Sequence, residues 1–567
     1  MKGFLLPLFT FITFLTFSQE NNEILIPEHR YQVDESLTLI VCSLDIANIE
    51  NSFSAGDTYL VLGNDRYTFL STPEGLNYTS SYEVIRDGKT YDLYFSQAAL
   101  ISIASGQTIV DDPKIPASFT YADLSGVQTS FVGIELRGAS SQSYPKKTYD
   151  LEFWEDASGE DSRDLQFGNL RDDDDWILDA LYNEPLRMRS PIAHQLWLDI
   201  HQPYYLDEEE DAKAGAGVLY AEVFLNNSYA GIYSLSEQVD RKLLRIKKFK
   251  DGEMRGELYK SFKWQSGNST FRKLPNYSNT RNSWGDYEWK YPDTEDVVDW
   301  KNLYDFTEFV QNSEDGIFQA TIGDLVSLEN AMDYFIFLNL TRATDNTGKN
   351  IYTGKYTSGS PYFFVPWDLD GVFGTDFRGN SVNVTDDVLT NGLFDRLFLS
   401  ENENNFVFSL RQRWYELRNT ILSDDALSER FNASYTFLKD NRLYERESKV
   451  WRKYSYDDSS KEYTDNWLQN RLSFLDEYFQ INVLNTLDFI ENDSKLSVYP
   501  NPASEWINLQ LASTQKKHSY QIYTMQGALV ESGALQYPNT KLDISKLSYG
   551  LYLLRVDNFK IVKFSKK

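Results

Sequence analysis

Residues 327–374 read SLENAMDYFIFLNLTRATDNTGKNIYTGKYTSGSPYFFVPWDLDGVFG, and the fold turns on how this stretch divides. From Ser327 the residues Leu328, Ala331, Met332, Phe335 and Leu338 recur at the three- and four-residue steps of a helix, with Ser327 placed to cap its N-terminus. The helix is expected to end near Thr341 to Thr344, which leaves Asp345 in the turn that follows. Asn350 opens a strand, NIYTGKY; SGS turns the chain; PYFFVPW returns as the partner strand. Asp368 and Asp370 stand at its end, before Gly371.

The order is therefore helix, loop with D-x-x-x-x-N, hairpin, and acidic turn. That order and spacing match the catalytic loop and metal-binding turn of the protein-kinase architecture. The residue types suit the chemistry. An acceptor hydroxyl needs a carboxylate to orient it and take its proton, and magnesium beside a triphosphate takes hard oxygen ligands. Two turns at one end of a hairpin bring such groups within reach of one another. Asp345 is the candidate base, and Asn350, Asp368 and Asp370 are the candidate metal ligands. Asp and Asn are also ordinary turn residues, so from spacing alone a solvated loop or a calcium-stabilised loop stays open.

Working outward, 567 residues exceed one compact core, and two or three domains are expected. A hydrophobic fraction of 41% with 15% aromatics supports packed cores. The formal charge of −29 repels nucleic acid and anionic membrane surfaces, so a nucleic-acid partner is not expected. The opening MKGFLLPLFTFITFLTFSQE reads as a secretory signal peptide over residues 1–18, and no later run is long and apolar enough to span a membrane in the mature chain. Cys42 is the single cysteine and the four histidines are scattered, which argues against disulfides and Cys- or His-based metal sites. No G-x-S-x-G, H-E-x-x-H or Walker A sequence occurs.

Residues 19–95 alternate apolar and polar positions, as in SLTLIVCSL, and read as a small β-rich region. Residues 96–480 are mixed, with strands first and long helical stretches after about residue 325. A linker is expected over residues 481–495. Short strands at regular spacing then fill residues 496–567, the pattern of a small β-sandwich. This tail resembles the C-terminal sorting domain of the type IX secretion system, through Tyr499-Pro500-Asn501-Pro502-Ala503, Gly550-Leu551-Tyr552 and the basic end Lys563 to Lys567. The resemblance implies export across the outer membrane of a Bacteroidetes-type bacterium by that machinery, and a secreted or cell-surface location.

The middle region resembles the CotH family of spore-coat-protein-H-like kinases. The matching stretches are Arg137 to Ser141 (RGASS), Pro145 to Tyr149 (PKKTY), DDDDWILDALYNEPLRMRSPIAHQL, VFLNNSYAGIYSLSEQVD and PYFFVPWDLDGVFG, in that order. The resemblance implies an α+β fold of an atypical two-lobed protein-kinase type. It also implies phosphate transfer from ATP, with Mg2+ or Mn2+, to Ser or Thr of an exported or surface protein. Asp345 would be the catalytic aspartate, and Asn350 and Asp368 would hold the metal.

RGASSQSYPKK then supplies backbone amides, Arg137, Ser140 and a lysine to the phosphates, with Lys146 and Lys147 both open because alternation puts only one on each face. Glu184 is a candidate partner for that lysine, with a helix N-terminal role and Arg189 as an ion-pair rival. Glu237 either sits near the nucleotide or caps its turn. The chain departs from the kinase pattern in lacking G-x-G-x-x-G, in having Ala343-Thr344 before Asp345, and in reading Asp-Leu-Asp-Gly at the second turn. A pseudokinase stays open, as does a surface scaffold or adhesin whose acids hold calcium. The acidic run Asp172 to Asp175 and the basic run Arg241 to Lys250 read as solvated surface, with a calcium loop and a groove for acidic substrates as the respective alternatives.

Overall fold

The computed structural model describes residues 23–49, 58–263, 267–399, 406–451, 456, 458–479, 496–511, 518–524, 528–535, 539–556 and 562–567. The expected signal peptide and linker lie outside these residues. The chain divides into two compact units, Met1–Ile481 and Asn482–Lys567.

The first unit opens with a seven-stranded mixed sheet running from Glu23–Ile26 to Lys89–Ser96. Its strand Leu39–Ser43, LIVCS, is buried at all five positions. Ile40 and Cys42 face the sheet's own core, while Leu39 and Val41 pack with Leu100, Phe224 and Tyr229 of the next layer. A strand covered on both faces loses the apolar/polar alternation, which is why it reads as an unbroken apolar run.

The next layer is a closed barrel of seven strands. In sheet order they are Val127–Arg137, Thr148–Trp154, Asp175–Asp179, Ser228–Glu237, Val218–Leu225, Ala99–Ala104 and Ile115–Ala122. One parallel pairing, Val218–Leu225 with Ala99–Ala104, joins segments distant in sequence. Side chains such as Ile101, Phe119, Val132, Phe153, Leu178 and Leu235 fill the barrel interior. Nothing in the sequence pattern forecasts this closure, because local alternation carries no information on which distant strand is the partner.

A five-stranded sheet follows, in the order Ser283–Trp284, Tyr287–Tyr291, Glu257–Ser261, Ile351–Lys355, Tyr362–Pro366. Nine helices occur among the described residues: α1 (Arg189–Ile200), α2 (Lys301–Asn312), α3 (Asp315–Leu325), α4 (Leu328–Thr341), α5 (Gly392–Leu397), α6 (Phe406–Arg418), α7 (Asp424–Asp440), α8 (Leu443–Val450) and α9 (Asp458–Tyr478). The helix expected from Ser327 is α4, and the Ser327 hydroxyl accepts the Asn330 N–H as its cap. It ends at Arg342 in the left-handed region.

The single apolar face expected for α4 is not what is observed. Residues 333–341 are buried all round, polar side chains included. Those side chains have dedicated partners: the Asn330 amide exchanges hydrogen bonds with both backbone groups of Phe364 (2.6 and 3.0 Å), and Asn339 does the same with Leu389. A central helix hydrogen-bonded sideways in this manner fixes the hairpin that follows it, since Phe364 lies in the strand Tyr362–Pro366.

The second unit has a three-stranded and a four-stranded antiparallel sheet. Its core includes Ala503, Ile507, Leu509, Ile522, Leu554, Val556 and Phe564. The molecule is thus a mixed α+β protein with β-rich regions at both ends. No helix among the described residues is long and apolar enough to cross a membrane.

Candidate functional site

A cavity of about 400 Å³ lies between the barrel and the five-stranded sheet. Two backbone hydrogen bonds and the Asn346 side chain join its acidic turns. The Asn350 N–H donates to the Ser261 carbonyl (2.9 Å), and the Trp367 N–H donates to the Asn350 carbonyl (3.0 Å). The buried Asn346 amide donates to both the Asn350 and the Trp367 carbonyls, each at 2.9 Å. The loop after α4, the turn after the hairpin and the strand Glu257–Ser261 are therefore one hydrogen-bonded assembly. Asn350 and Asp368 both hold φ +57°. This left-handed conformation suits Asn and Asp, whose short polar side chains tolerate it.

Asn350, Asp368 and Asp370 all line the cavity. Their side chains make no hydrogen bond among the described residues, whereas Asp345 pairs with Lys349 Nζ at 3.3 Å. Asp345 lies in the turn Thr344–Thr347 and is not among the residues that line the cavity, although its charge acts on Asp370. Burial holds the Asp370 carboxyl well above the usual carboxylate range, and the charges of Asp368, Asp179 and Asp345 push it further; Lys349 opposes them. Asp179 is a fourth acid, absent from the sequence-derived set. It ends the barrel strand Asp175–Asp179 and lines the cavity, and burial raises its pKa with Asp368 adding to the effect. Four mutually repelling carboxylates, of which only Asp345 has a lysine on its oxygens among the described residues, is an arrangement that favours a cation.

The cationic wall separates the two lysines that the sequence left open. Lys147 Nζ donates to the Gln142 and Tyr144 carbonyls (2.6 and 2.5 Å) and closes its own loop. Lys146 is 1% exposed and lines the cavity, but its Nζ is engaged by Glu447 Oε1 at 2.8 Å and by the Ile232 carbonyl. Burial draws the Lys146 pKa down to about 7 against the opposing pull of Glu447. The acid on Lys146 is thus Glu447 from α8. Glu184 instead takes the helix N-terminal role: its carboxylate accepts the Leu186 and Met188 N–H groups at 2.7 Å and pairs with Arg189.

Lys260 is the cation that sequence reasoning missed. It lines the cavity from the strand Glu257–Ser261, makes no hydrogen bond or ion pair among the described residues, and lies 5.6 Å from the Tyr352 ring centre and 5.9 Å from that of Trp367. Burial, with the Arg137 charge adding, lowers its pKa to about 8. Arg137 also lines the cavity and donates to Asp150 at 2.5 Å. Gly138, Ala139 and Ser141 of the same loop border it; the Ser140 side chain is outside the described residues. Glu237 is away from the cavity: it is buried and accepts the Arg171 and Gly217 N–H groups at 2.7 Å, with Lys213 at 2.5 Å.

Outside the cavity, Asp164, Asp173 and Asp174 bring three carboxylates within 4.8 Å of one another, the one such acidic group among the described residues. Two of the three are already paired. Arg171 pairs with Asp173, and Lys242 pairs with Asp173 at 2.9 Å and Asp174 at 2.5 Å. Part of the basic run is engaged likewise, since Arg245 meets Asp211 and Lys247 meets Glu209.

A family model described as CotH kinase protein matches residues 134–475, more than half of the chain. A second, described as a secretion system C-terminal sorting domain, matches residues 497–567. No curated protein matches the chain.

Proposed function

The chain belongs to the CotH kinase protein family and is marked by its type IX sorting tail for secretion or the cell surface; from that premise and the cavity we propose that it is an ATP-dependent protein kinase acting on Ser or Thr of exported proteins. The observation that carries the reading is the meeting of unpaired Asn350, Asp368 and Asp370 with unpaired Lys260 in one cavity of about 400 Å³. Such a volume is that of a small-ligand site, and its two charge walls suit a polyphosphate with a divalent cation.

The donor set fits magnesium or manganese. Asn350, Asp368 and Asp370 offer hard oxygens free of hydrogen bonds, and Asp179 adds charge behind them. These acids are more widely spaced than the Asp164, Asp173, Asp174 group. Magnesium tolerates that, since it keeps waters and phosphate oxygens and takes only one or two carboxylates. When bound, the ion supplies charge neutralisation on the phosphate oxygens.

In the proposed reaction Asp345 accepts the proton of the acceptor hydroxyl. The hydroxyl oxygen forms a bond to the γ-phosphorus as the bond to the ADP oxygen breaks. Lys260 and Arg137 hold phosphate oxygens, and Lys349 orients the Asp345 carboxylate. On this reading the barrel side and the helical side of the first unit are the two lobes of a kinase-like fold.

The test is incubation of the mature chain with γ-labelled ATP, Mg2+ or Mn2+ and an acceptor protein. Label transfer that vanishes in Asp345→Ala and Asp368→Ala supports the reading. Nucleotide binding without transfer makes the chain a pseudokinase, and absence of both favours a scaffold.

A further inference from the structure

Glu447, which holds Lys146, is itself held from the far side. It is 0% exposed, and besides Lys146 it accepts from Arg187 Nε (3.1 Å) and the Ile232 N–H (2.6 Å). Its approach needs a glycine: a Cβ on Gly231, which has φ +102°, would stand 2.1 Å from Glu447 Oε2. The opposite face of α8 is occupied by the N-terminal sheet. Tyr94 Oη donates to Glu445 (2.8 Å), Lys449 Nζ donates to Asp92 (2.7 Å), and the preceding Arg442 donates to the Ser81 hydroxyl (3.0 Å). Arg446, fully buried, is bidentate to Glu222 at 2.6 and 2.7 Å and lies 4.7 Å from the Tyr94 ring centre. The same sheet reaches the barrel strand that meets Glu447, because the Asp34 carboxylate accepts the Tyr229 N–H at 2.9 Å.

We infer that the N-terminal β-domain is a positioning device for the cavity: it clamps α8 against the barrel, and α8 through Glu447, which also holds Arg187, sets Lys146 in the cavity's wall. Residues three or four apart on a helix share a face. Glu445 and Lys449 therefore form the domain-facing side, and Glu447 projects from the other. An eight-residue helix has little stability of its own, so its place depends on what grips it. Tyr94, Asp92 and Lys449 are positioning residues and touch no ligand. The consequence for nucleotide rests on the proposed function; the clamp itself does not.

The full mature chain tests this with Asp92→Lys, with Asp92→Lys/Lys449→Asp, and with Tyr94→Phe in each. The direct readout is acylation of individual lysines by an amine-reactive ester, quantified by peptide mass spectrometry at pH 8. Lys146 is expected to be protected in the parent, to label at least tenfold faster in Asp92→Lys/Tyr94→Phe, and to regain protection in the charge-swapped variant; exposed Lys248, outside the N-terminal sheet, serves as an unchanged internal control. Nucleotide affinity by calorimetry is expected to fall and recover in parallel. Unchanged Lys146 labelling across the set overturns the clamp, and so does Lys146 release that the charge swap fails to reverse. If the parent binds no nucleotide, the reading of the cavity fails while the labelling pattern still decides the clamp.

Discussion

The acids ahead of Trp176 and the acids of the cavity look alike in composition and differ in what surrounds them. Asp173 and Asp174 have Arg171 and Lys242 on their oxygens, so their charge is cancelled within the protein. Asp368 and Asp370 have no such partner among the described residues, and Asp370 is held well above its ordinary pKa by burial and by the neighbouring acids. The run of four aspartates is the denser cluster and the weaker candidate. Compensation of charge, more than its density, separates an acid pair that serves the fold from one that waits for a ligand.

The most severe way to break this comparison is catalytic. Asp345→Ala and Asp368→Ala should each lower phosphoryl transfer by on the order of 10³-fold, the scale of a lost base or lost charge stabilisation. Asp174→Ala should leave transfer within about twofold. A comparable loss in Asp174→Ala would mean that the loop is part of the site.

The second contrast is one of sign. Asp173 is 1% exposed and pairs with Arg171 and Lys242, while Arg171 also holds Asp240 at 2.9 Å and Lys242 also holds Asp174. Asp173→Asn should destabilise the chain by about 1.5 kcal/mol, the scale of a lost charge-assisted contact whose cations keep other partners. Asp370→Asn, which removes one of several repelling carboxylates, should stabilise the metal-free chain by about 1 kcal/mol. Urea midpoints at pH 7.5 measure both, and equal signs would erase the distinction drawn here.

One desolvated cavity group should also leave its mark on the acid limb of stability. His194 on α1 lines the cavity, and burial lowers its pKa from 6.5 to about 4. Between those values the unfolded chain binds a proton that the folded chain refuses. The His194 contribution is therefore full above pH 6.5 and is lost as the pH drops toward 4, by up to about 3 kcal/mol. His194→Gln should flatten that limb in denaturation midpoints taken from pH 7.5 to 4.5. Parallel limbs in parent and variant would show that His194 is not the group responsible.

Much of this arrangement was legible. Periodicity located α4, its Ser327 cap and the hairpin, because each is specified by side chains within a turn or two. Spacing placed Asn350, Asp368 and Asp370 around one cavity, since a two-stranded hairpin fixes which ends meet. The remainder depended on distant pairing. The barrel closes through strands far apart in the chain, and Glu447 is separated from Lys146 by 301 positions. In LYERESKV nothing local distinguishes Glu445, which meets Tyr94, from Glu447, which is buried. The carboxylate of Glu184 went to the N-terminus of α1 because three backbone N–H groups there had no other acceptor.

Lys260 and Lys147 extend the same contrast to the cations, with the smallest effect expected. Lys147 has two carbonyl partners and resembles the loop acids in being spent on its own segment. Lys260 resembles the cavity acids: it is largely shielded from water, without a hydrogen-bonded partner, and kept beside Asp368 by a strand that hydrogen-bonds to the Asn350 turn. A single charge-assisted contact to phosphate is worth about 1.5 kcal/mol or somewhat more. Lys260→Met should therefore weaken nucleotide binding roughly tenfold in calorimetry, with Lys147→Met unchanged, although both lose one positive charge. Because net charge is matched, a non-specific electrostatic effect would move the two variants together; only a built phosphate contact moves Lys260 alone. The reverse ranking would return the phosphate to the RGASSQSYPKK loop and leave Lys260 as a counter-charge for Asp368.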